Sequence, residues 1–164
     1  RPPVPGIDSD LVTDARQVYE SRSVAGQKIV IIGGGDIGCE TADWLADPER
    51  EVTIVEILPR VLDRMKKIPR ERLLSRLSEK RVAILTKTQA TCIEKNIVHL
   101  KKKSGKQLSI EADRVIVAIR PESEDSLFQA LGDKIKQVIA VGDAASPGDI
   151  GSALRSATEA ALKI

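Results

Sequence analysis

The residues whose types and spacing most clearly indicate a chemical role form a glycine-rich turn, Gly33-Gly34-Gly35-Asp36-Ile37-Gly38. This turn comes directly after an apolar run at residues 28–32. In this G-x-G-x-x-G pattern Gly33 permits a tight turn, Gly35 lets a pyrophosphate approach the backbone, and Gly38 lets a helix pack closely. A helix that begins here directs unpaired N–H groups and a partial positive charge at the phosphates. The pattern predicts a dinucleotide site. The alternative is a glycine-rich turn that has lost its ligand.

Glu56 ends the next apolar run, 23 positions after Gly33. A carboxylate at this place accepts a hydrogen bond from the ribose 2′-hydroxyl and repels a 2′-phosphate, so NAD(H) is predicted over NADP(H). A solvated glutamate at a strand end is the alternative. Arg60 follows four positions later and would meet a 2′-phosphate if the loop folded back.

Three further side chains have simpler interpretations. Cys39 lies just inside the predicted helix N-terminus, where a thiolate would be stabilised. The favoured interpretation is nevertheless that Cys39 is a small core residue. Trp44 follows at helical spacing and is expected to pack against the sheet. His99 is the only histidine and has no recognisable triad partners, so it is predicted to be a surface or core residue.

The elements that position these residues follow from the apolar pattern, which predicts an α/β chain: a Rossmann-like parallel sheet with flanking helices and a β-meander crossover. The expected buried strands are residues 28–32, 51–56, 81–85, 113–119 and 136–141. The expected helices are residues 14–20, capped by Thr13, 36–46, 69–80, opened by Pro69, 126–131 and 149–162. The expected meander strands are residues 88–93, 97–102 and 107–111.

Composition restricts the partners. Hydrophobic residues make up 41% of the 164 and aromatic residues only 2%, which fits an aliphatic core and argues against base stacking on aromatic side chains. The net charge of +2 is too small to indicate an electrostatic partner, so no nucleic acid is expected, and Lys101, Lys102, Lys103 and Lys106 are expected at a solvated hairpin tip. The two cysteines form no metal or redox motif, which predicts a cytoplasmic protein without a metal site. No apolar run approaches the length of a membrane span, so no membrane partner is expected.

Three stretches resemble the pyridine-nucleotide-binding region of two-dinucleotide flavoprotein reductases. They are residues 1–8, which resemble a connector; residues 30–42 with 52–60, which resemble the NADH motif; and residues 138–143 with 153–155, which resemble the return into the flavin-type domain. The three stretches occur in family order across nearly the whole chain. The likeness is closest to the C-terminal part of the old-yellow-enzyme-related group of 2,4-dienoyl-CoA reductase, 2-enoate reductase and NADH oxidase.

The resemblance implies cofactors and two more site residues. In such enzymes NADH reduces a flavin, and electrons pass through an iron–sulfur cluster to FMN in a separate TIM barrel. By the resemblance, Glu40 lies near the nicotinamide ribose or amide, and Asp143 holds hydroxyl groups of a second dinucleotide. A helix-surface carboxylate and a helix cap are their respective alternatives. NAD(H) is expected in this chain, whereas FAD, FMN and the cluster are implied only for a parent protein.

The resemblance also suggests domain limits: a connector at 1–27 from a flavin- or ADP-type domain, an NAD(H)-binding domain at 28–120, and a return segment at 121–164. The flavin fingerprint would precede Arg1, so this chain alone is not expected to bind FAD or FMN tightly. Arg120 stands where the family usually has glycine, and a cation there puts hydride transfer in doubt.

The sequence therefore indicates two possible functions. The leading one is an NADH-binding domain that presents NADH to a flavin held by the rest of a flavin-dependent oxidoreductase. The other is a nucleotide-binding or structural docking module without hydride transfer, which Arg120 favours. No residue qualifies as a catalytic acid, base or nucleophile, and the remainder of the parent flavoprotein is the expected partner.

Overall fold

The computed structural model describes residues 2–119, 122–132 and 134–163, which form two compact units, residues 1–119 and residues 120–164. The strands in the described residues are β1 Val12–Asp14, β2 Lys28–Ile32, β3 Glu51–Val55, β4 Ala83–Leu85, β5 Thr88–Glu94, β6 Ile97–Lys102, β7 Gln107–Glu111 and β8 Arg114–Val117. The α-helices are α1 Ala15–Ser21, α2 Asp36–Leu45, α3 Lys67–Glu79, α4 Ser126–Gly132 and α5 Ile150–Ala161. A short 3₁₀ helix covers Gly142–Ala144.

The first unit contains a parallel sheet in the order β1-β8-β2-β3-β4 and an antiparallel sheet in the order β5-β6-β7. The antiparallel sheet lies in the chain between β4 and β8, so it forms the crossover that returns the chain to the other side of β2. The predicted Rossmann-like sheet with a β-meander crossover is confirmed.

Alternate residues of the central strand β2 serve two different cores. Ile29 and Ile31 belong to a cluster with side chains of α1, α2 and α3, whereas Val30 and Ile32 belong to a cluster with the antiparallel sheet. Successive side chains of a strand point to opposite faces, so the parallel sheet is the middle of three layers. Burial on both faces explains why β2 reads as an uninterrupted aliphatic run.

An ion-pair network joins α2 to α3. Asp43 Oδ2 accepts a hydrogen bond from Arg76 Nε at 2.8 Å, and Lys80 Nζ lies 3.1 Å from Asp43 Oδ1. Burial of the Asp43 carboxyl opposes ionisation, but the bonds from Arg76 and Lys80 outweigh it and lower the pKa below its usual value. The network fixes the helix that follows the glycine-rich turn.

The segment before β2 does more than connect. Val4 and Ile7 are buried against the antiparallel sheet, and the Ile93 N–H donates to the Pro5 carbonyl at 2.8 Å. β1 pairs in parallel with β8 and adds an edge strand to the main sheet. Asp14, rather than Thr13, is the N-cap of α1, because Asp14 directly precedes the first helical residue, Ala15.

Other elements also differ from the prediction. α3 begins at Lys67, so Pro69 is its third residue rather than its first. β4 begins only at Ala83, because Arg81 takes a left-handed backbone (φ +59°) in the turn that ends α3. The predicted strand at residues 136–141 is wrong: a strand needs a hydrogen-bonding neighbour, and the described residues of the second unit contain no other strand.

Among the described residues, none of the helices is both long and apolar enough to cross a membrane.

Candidate functional site

The turn after β2 is shaped by glycines at its first and last positions. Gly33 has φ +114°, and a Cβ there would lie 2.4 Å from the Ala118 carbonyl oxygen. A Cβ on Gly38 would lie 1.9 Å from the Gly33 carbonyl oxygen. Both positions therefore exclude a side chain, and α2 sits directly against the strand end, as the fingerprint predicted. Residues 33–38 are called the glycine turn below.

Gly35 differs from the other two. It is the N-cap of α2 with an extended backbone (φ −73°, ψ −170°), and a Cβ there would meet nothing within 4 Å. Its lack of a side chain is not needed for packing, so the space in front of it is free for a ligand. The first-turn amides of α2, from Asp36 onward, have no intrahelical acceptors, as at any helix N-terminus. This arrangement fits the pyrophosphate of a dinucleotide.

Glu56 is bound to the glycine turn, a feature that sequence reasoning missed. Its side chain is buried, with 8% of the residue exposed. Oε2 accepts a hydrogen bond from the Gly34 N–H at 2.6 Å, and Oε1 accepts one from the Leu58 N–H at 2.7 Å. Each oxygen keeps a second lone pair for a ribose hydroxyl. Glu56 can thus both hold the turn and accept from a ribose.

The same contacts explain Gly34. A Cβ at this position would lie 2.5 Å from Val61 Cγ1 and 3.1 Å from Glu56 Oε2. The Gly33 N–H donates to the Val55 carbonyl at 2.9 Å, and the Gly34 N–H is used by Glu56. The amides that remain for a phosphate therefore start at Gly35.

The loop after β3 folds back onto the glycine turn. The Leu62 N–H donates to the Gly34 carbonyl at 2.8 Å, and Val61 and Leu62 are buried. Arg70 Nε donates to the Val61 carbonyl at 3.3 Å. Residues 56–63 are called the anchored loop below. Sequence reasoning missed Val61 and Leu62; two adjacent apolar residues inside a charged segment were the available signal.

Arg60 lies on the anchored loop with an exposed side chain, and its Nε donates to Asp63 Oδ1. The loop does fold back, as the sequence analysis allowed for. The guanidinium is nevertheless paired with a carboxylate of its own loop. Asp63 was not singled out from the sequence.

Ile37 and Glu40 lie on α2 and are exposed. Ile37 lines a shallow depression together with Arg16, Tyr19 and Glu20. Trp44 does not pack against the sheet, which corrects the prediction. Its ring stacks on Tyr19, with centroids 5.9 Å apart and planes inclined by 21°, and 46% of the residue is exposed.

Cys39 is completely buried in the helix-side core, which confirms the structural interpretation. Burial raises the pKa of its thiol to about 12, with a smaller contribution from the negative charge of Asp36. Burial also outweighs the helix N-terminus, which would lower the pKa. Cys39 is therefore a thiol at neutral pH and not a nucleophile.

Asp143 belongs to the second unit. Its Oδ1 accepts a hydrogen bond from the Gly148 N–H at 3.0 Å, and the neighbouring Gly142 N–H donates to Ser156 Oγ at 2.9 Å. The cap of α5 is a different residue, Asp149, which accepts from the Ser152 N–H. Arg120, the predicted departure from the family pattern, lies outside the described residues.

The geometry can be set beside known proteins. Residues 1–146 match the pyridine nucleotide-disulphide oxidoreductase family. The chain belongs to this family. The predicted resemblance is thereby confirmed.

Individual relatives of this family member are much longer. Bilirubin reductase of Mediterraneibacter gnavus is 35% identical over 144 residues, which cover 87% of this chain and 22% of that protein. NADH oxidase of Thermoanaerobacter brockii is 34% identical over 139 residues, which cover 84% of this chain and 21% of that protein. A structure of 2-naphthoyl-CoA reductase with 2-naphthoyl-CoA matches the whole chain at 28% identity and a TM-score of 0.89, over 25% of its own length. The chain thus spans about a quarter or less of these relatives.

Within the described part of this oxidoreductase domain, no group of three or more His, Cys, Asp or Glu side chains is arranged to hold a metal ion. His99 pairs its Nδ1 with Ser109 Oγ across two neighbouring strands.

Proposed function

We propose that this chain is the NADH-binding domain of a flavin-dependent oxidoreductase and presents NADH to a flavin held by the rest of the protein. The observation that carries the proposal is the open space at Gly35, the N-cap of α2, next to Gly34, whose N–H is bound by the buried Glu56 carboxylate. Membership of the pyridine nucleotide-disulphide oxidoreductase family supports it. A cytoplasmic location belongs to the same proposal.

Each part of the site has a stated task. The amides from Gly35 to Gly38 bind the pyrophosphate, and the partial charge of the helix terminus adds to their attraction. Glu56 accepts from the ribose 2′-hydroxyl with the lone pairs that Gly34 and Leu58 leave free. Asp36 adds a negative charge in the first turn of α2, which favours the helix and opposes the phosphates. Ile37 and Glu40 follow on the side proposed for the nicotinamide.

The bound nicotinamide supplies the hydride, while this chain supplies position. The domain limits predicted from the resemblance are part of the proposal: residues 1–27 leave a flavin-type domain, residues 28–120 bind NADH, and residues 121–164 return. Asp143 then holds hydroxyl groups of a second dinucleotide. FAD, FMN and an iron–sulfur cluster belong to the parent protein in this proposal.

The test uses Gly35→Ala. A methyl group here meets no protein atom within 4 Å, so the free energy of unfolding should change by less than about 1 kcal/mol. The methyl group does occupy the proposed pyrophosphate space, and such overlap costs about 1–3 kcal/mol, so NADH affinity should fall about 5-fold or more. Affinity is measured by quenching of Trp44, the only tryptophan, whose emission overlaps NADH absorption.

Gly132→Ala is the matched control, since a Cβ at Gly132 also meets nothing within 4 Å and the residue ends α4 in the second unit. It should leave NADH affinity unchanged. Equal affinity of the Gly35→Ala and original chains would overturn the placement of the pyrophosphate. Absence of saturable NADH binding to the folded original chain would overturn the proposed function.

The docking-module alternative requires a second measurement. The full-length protein is mixed with NADH under anaerobic conditions, and bleaching of the flavin absorbance is followed. Bleaching that depends on Gly35 supports hydride transfer through this domain. NADH binding without bleaching would support the module.

A further inference from the structure

The anchored loop holds its charged residues in a defined place beside Glu56. Leu58 is tied to Glu56 Oε1, and Leu62 is tied to the Gly34 carbonyl. Arg60 lies between these two anchors, so its backbone has little freedom to move away from the ribose side of the site. Any cofactor whose ribose reaches Glu56 also meets the charges of this loop.

Arg60 is the cation of this loop that could meet a 2′-phosphate, and the carboxylate of Asp63 offsets its charge. The guanidinium Nε donates to Asp63 Oδ1, and the pair spans i to i+3 within the loop. Arg70, the next cation packed against the loop, already donates its Nε to the Val61 carbonyl. A 2′-phosphate that approached the remaining N–H groups of Arg60 would face the Asp63 charge as well as that of Glu56.

We propose that Asp63 is a specificity-determining residue: by pairing with Arg60 it makes the anchored loop reject a 2′-phosphate, so that the domain favours NADH over NADPH. The inference rests on the proposed function, since it concerns the cofactor of the same site. It assigns the cofactor preference to Glu56 and Asp63 together, rather than to Glu56 alone. It also gives Arg60 a conditional role, because the Arg60 charge attracts a 2′-phosphate more strongly when the Asp63 charge is removed.

The test compares NADH and NADPH affinities of Asp63→Asn with those of the original chain. Asparagine keeps the shape of the side chain and removes its charge. Both partners are largely exposed, and exposed pairs contribute about 0.2–1 kcal/mol, so NADPH affinity should rise about 1.4- to 5-fold while NADH affinity stays the same. The gain should shrink in concentrated salt, because exposed charges are screened.

Two controls sharpen the result. Asp47→Asn removes the carboxylate of a similar i, i+3 pair with Arg50 beyond the end of α2, and it should leave the ratio of the two affinities unchanged. In Arg60→Gln/Asp63→Asn, the gain in NADPH affinity should disappear, because the freed guanidinium is absent.

An unchanged ratio of affinities in Asp63→Asn would overturn the inference. An equal gain with and without Arg60 would overturn the pairing as its cause. Either result leaves the proposed function intact, provided that NADH still binds to the original chain. Failure of the original chain to bind NADH would instead remove the proposed function itself.

Discussion

The carboxylate of Glu56 receives hydrogen bonds on both oxygens from the backbone of its own chain. The two donors, Gly34 and Leu58, belong to the glycine turn and to the anchored loop. A single buried side chain thus ties together the two segments that would enclose the adenosine half of a cofactor. Its position at a strand end, which is visible in the sequence, does not disclose this second task.

Glu56→Gln tests the tie by stability. Glutamine offers one acceptor and one NH₂ group, so one of the two backbone N–H groups would face a donor. Leaving a buried N–H without an acceptor costs about 1–3 kcal/mol, and the free energy of unfolding in urea should fall by that amount. The exposed Glu40→Gln on α2 is the control and should change it by less than about 0.5 kcal/mol. Equal stability of the two variants would contradict the tie.

The two cysteines should differ in reactivity. Cys39 is 0% exposed and its pKa is raised to about 12, whereas Cys92 is partly exposed. A thiol reagent at neutral pH should therefore modify Cys92 alone in the folded protein, and Cys39 only after unfolding. The readout is the number of modified thiols by mass spectrometry. Rapid modification of folded Cys92→Ser would show that Cys39 is accessible.

At the residue scale, the sequence predicted those roles that only one residue type can fill. Gly33 and Gly38 have the backbone roles that the fingerprint assigns, and both would clash if they carried a Cβ. The hydrogen bonds of Glu56 and the pairing of Arg60 with Asp63 were not predictable. They depend on how the anchored loop returns, and no local pattern encodes that path.

At the scale of elements, Asp113, which directly precedes β8, links the start of β8 to the start of β2. Its Oδ2 accepts hydrogen bonds from the backbone N–H groups of Gln27 and Lys28 at 2.8 and 2.9 Å. The bond from Lys28 and then the bond from Gln27 lower the pKa of Asp113 below its usual value. The charged form is therefore the one that the folded state favours.

Asp113→Ala should lower the Tm at neutral pH by a few degrees. Because the folded pKa is depressed, the stabilisation is complete above the unfolded pKa, about 4, and is lost as the pH falls through the lower folded pKa. The difference in Tm between the two proteins should therefore narrow below about pH 4. Asp10→Ala is the control, since the Asp10 side chain makes no hydrogen bond to the described residues. A constant difference down to pH 2 would contradict the assignment.

Helices and strands were predictable because, in most segments, the spacing of apolar residues and the residue types present indicate the same kind of element. β2 and the three meander strands were predicted to within one residue at each end. The two failures have different causes. Residues 136–141 have the aliphatic pattern of a buried strand, but a strand also needs a neighbour, and that information lies outside the segment. β1 was missed because its three residues are too few to show a period.

At the scale of the whole molecule, the two units differ in their cores. The first unit has two clusters of buried side chains, one on each face of the parallel sheet. Among the described residues of the second unit, only Ala160 is buried, and large apolar side chains such as Ile150, Leu154 and Leu162 are exposed. Under the proposed function, we expect these side chains to pack against the rest of the parent protein.

Limited proteolysis should report this difference. A non-specific protease should cut first within residues 122–163, because few buried contacts oppose local opening of this segment. A resistant fragment close to residues 1–119 should remain. Mass spectrometry of the early products gives the cut positions. Early cuts within β2 to β8 would contradict the expectation. In the full-length protein, the same segment should become resistant.

The shape of the glycine turn comes from hydrogen bonds within the chain: Gly33 to Val55, Gly34 to Glu56 and Leu62 to Gly34. Under the proposed function, the domain would release a spent nucleotide and capture a fresh one in every cycle. Because these hydrogen bonds all lie within the chain, we expect capture to cost little loop-ordering entropy. Arrival and correct orientation of the nucleotide would then set the association rate, and the exchange of nucleotides need not limit turnover.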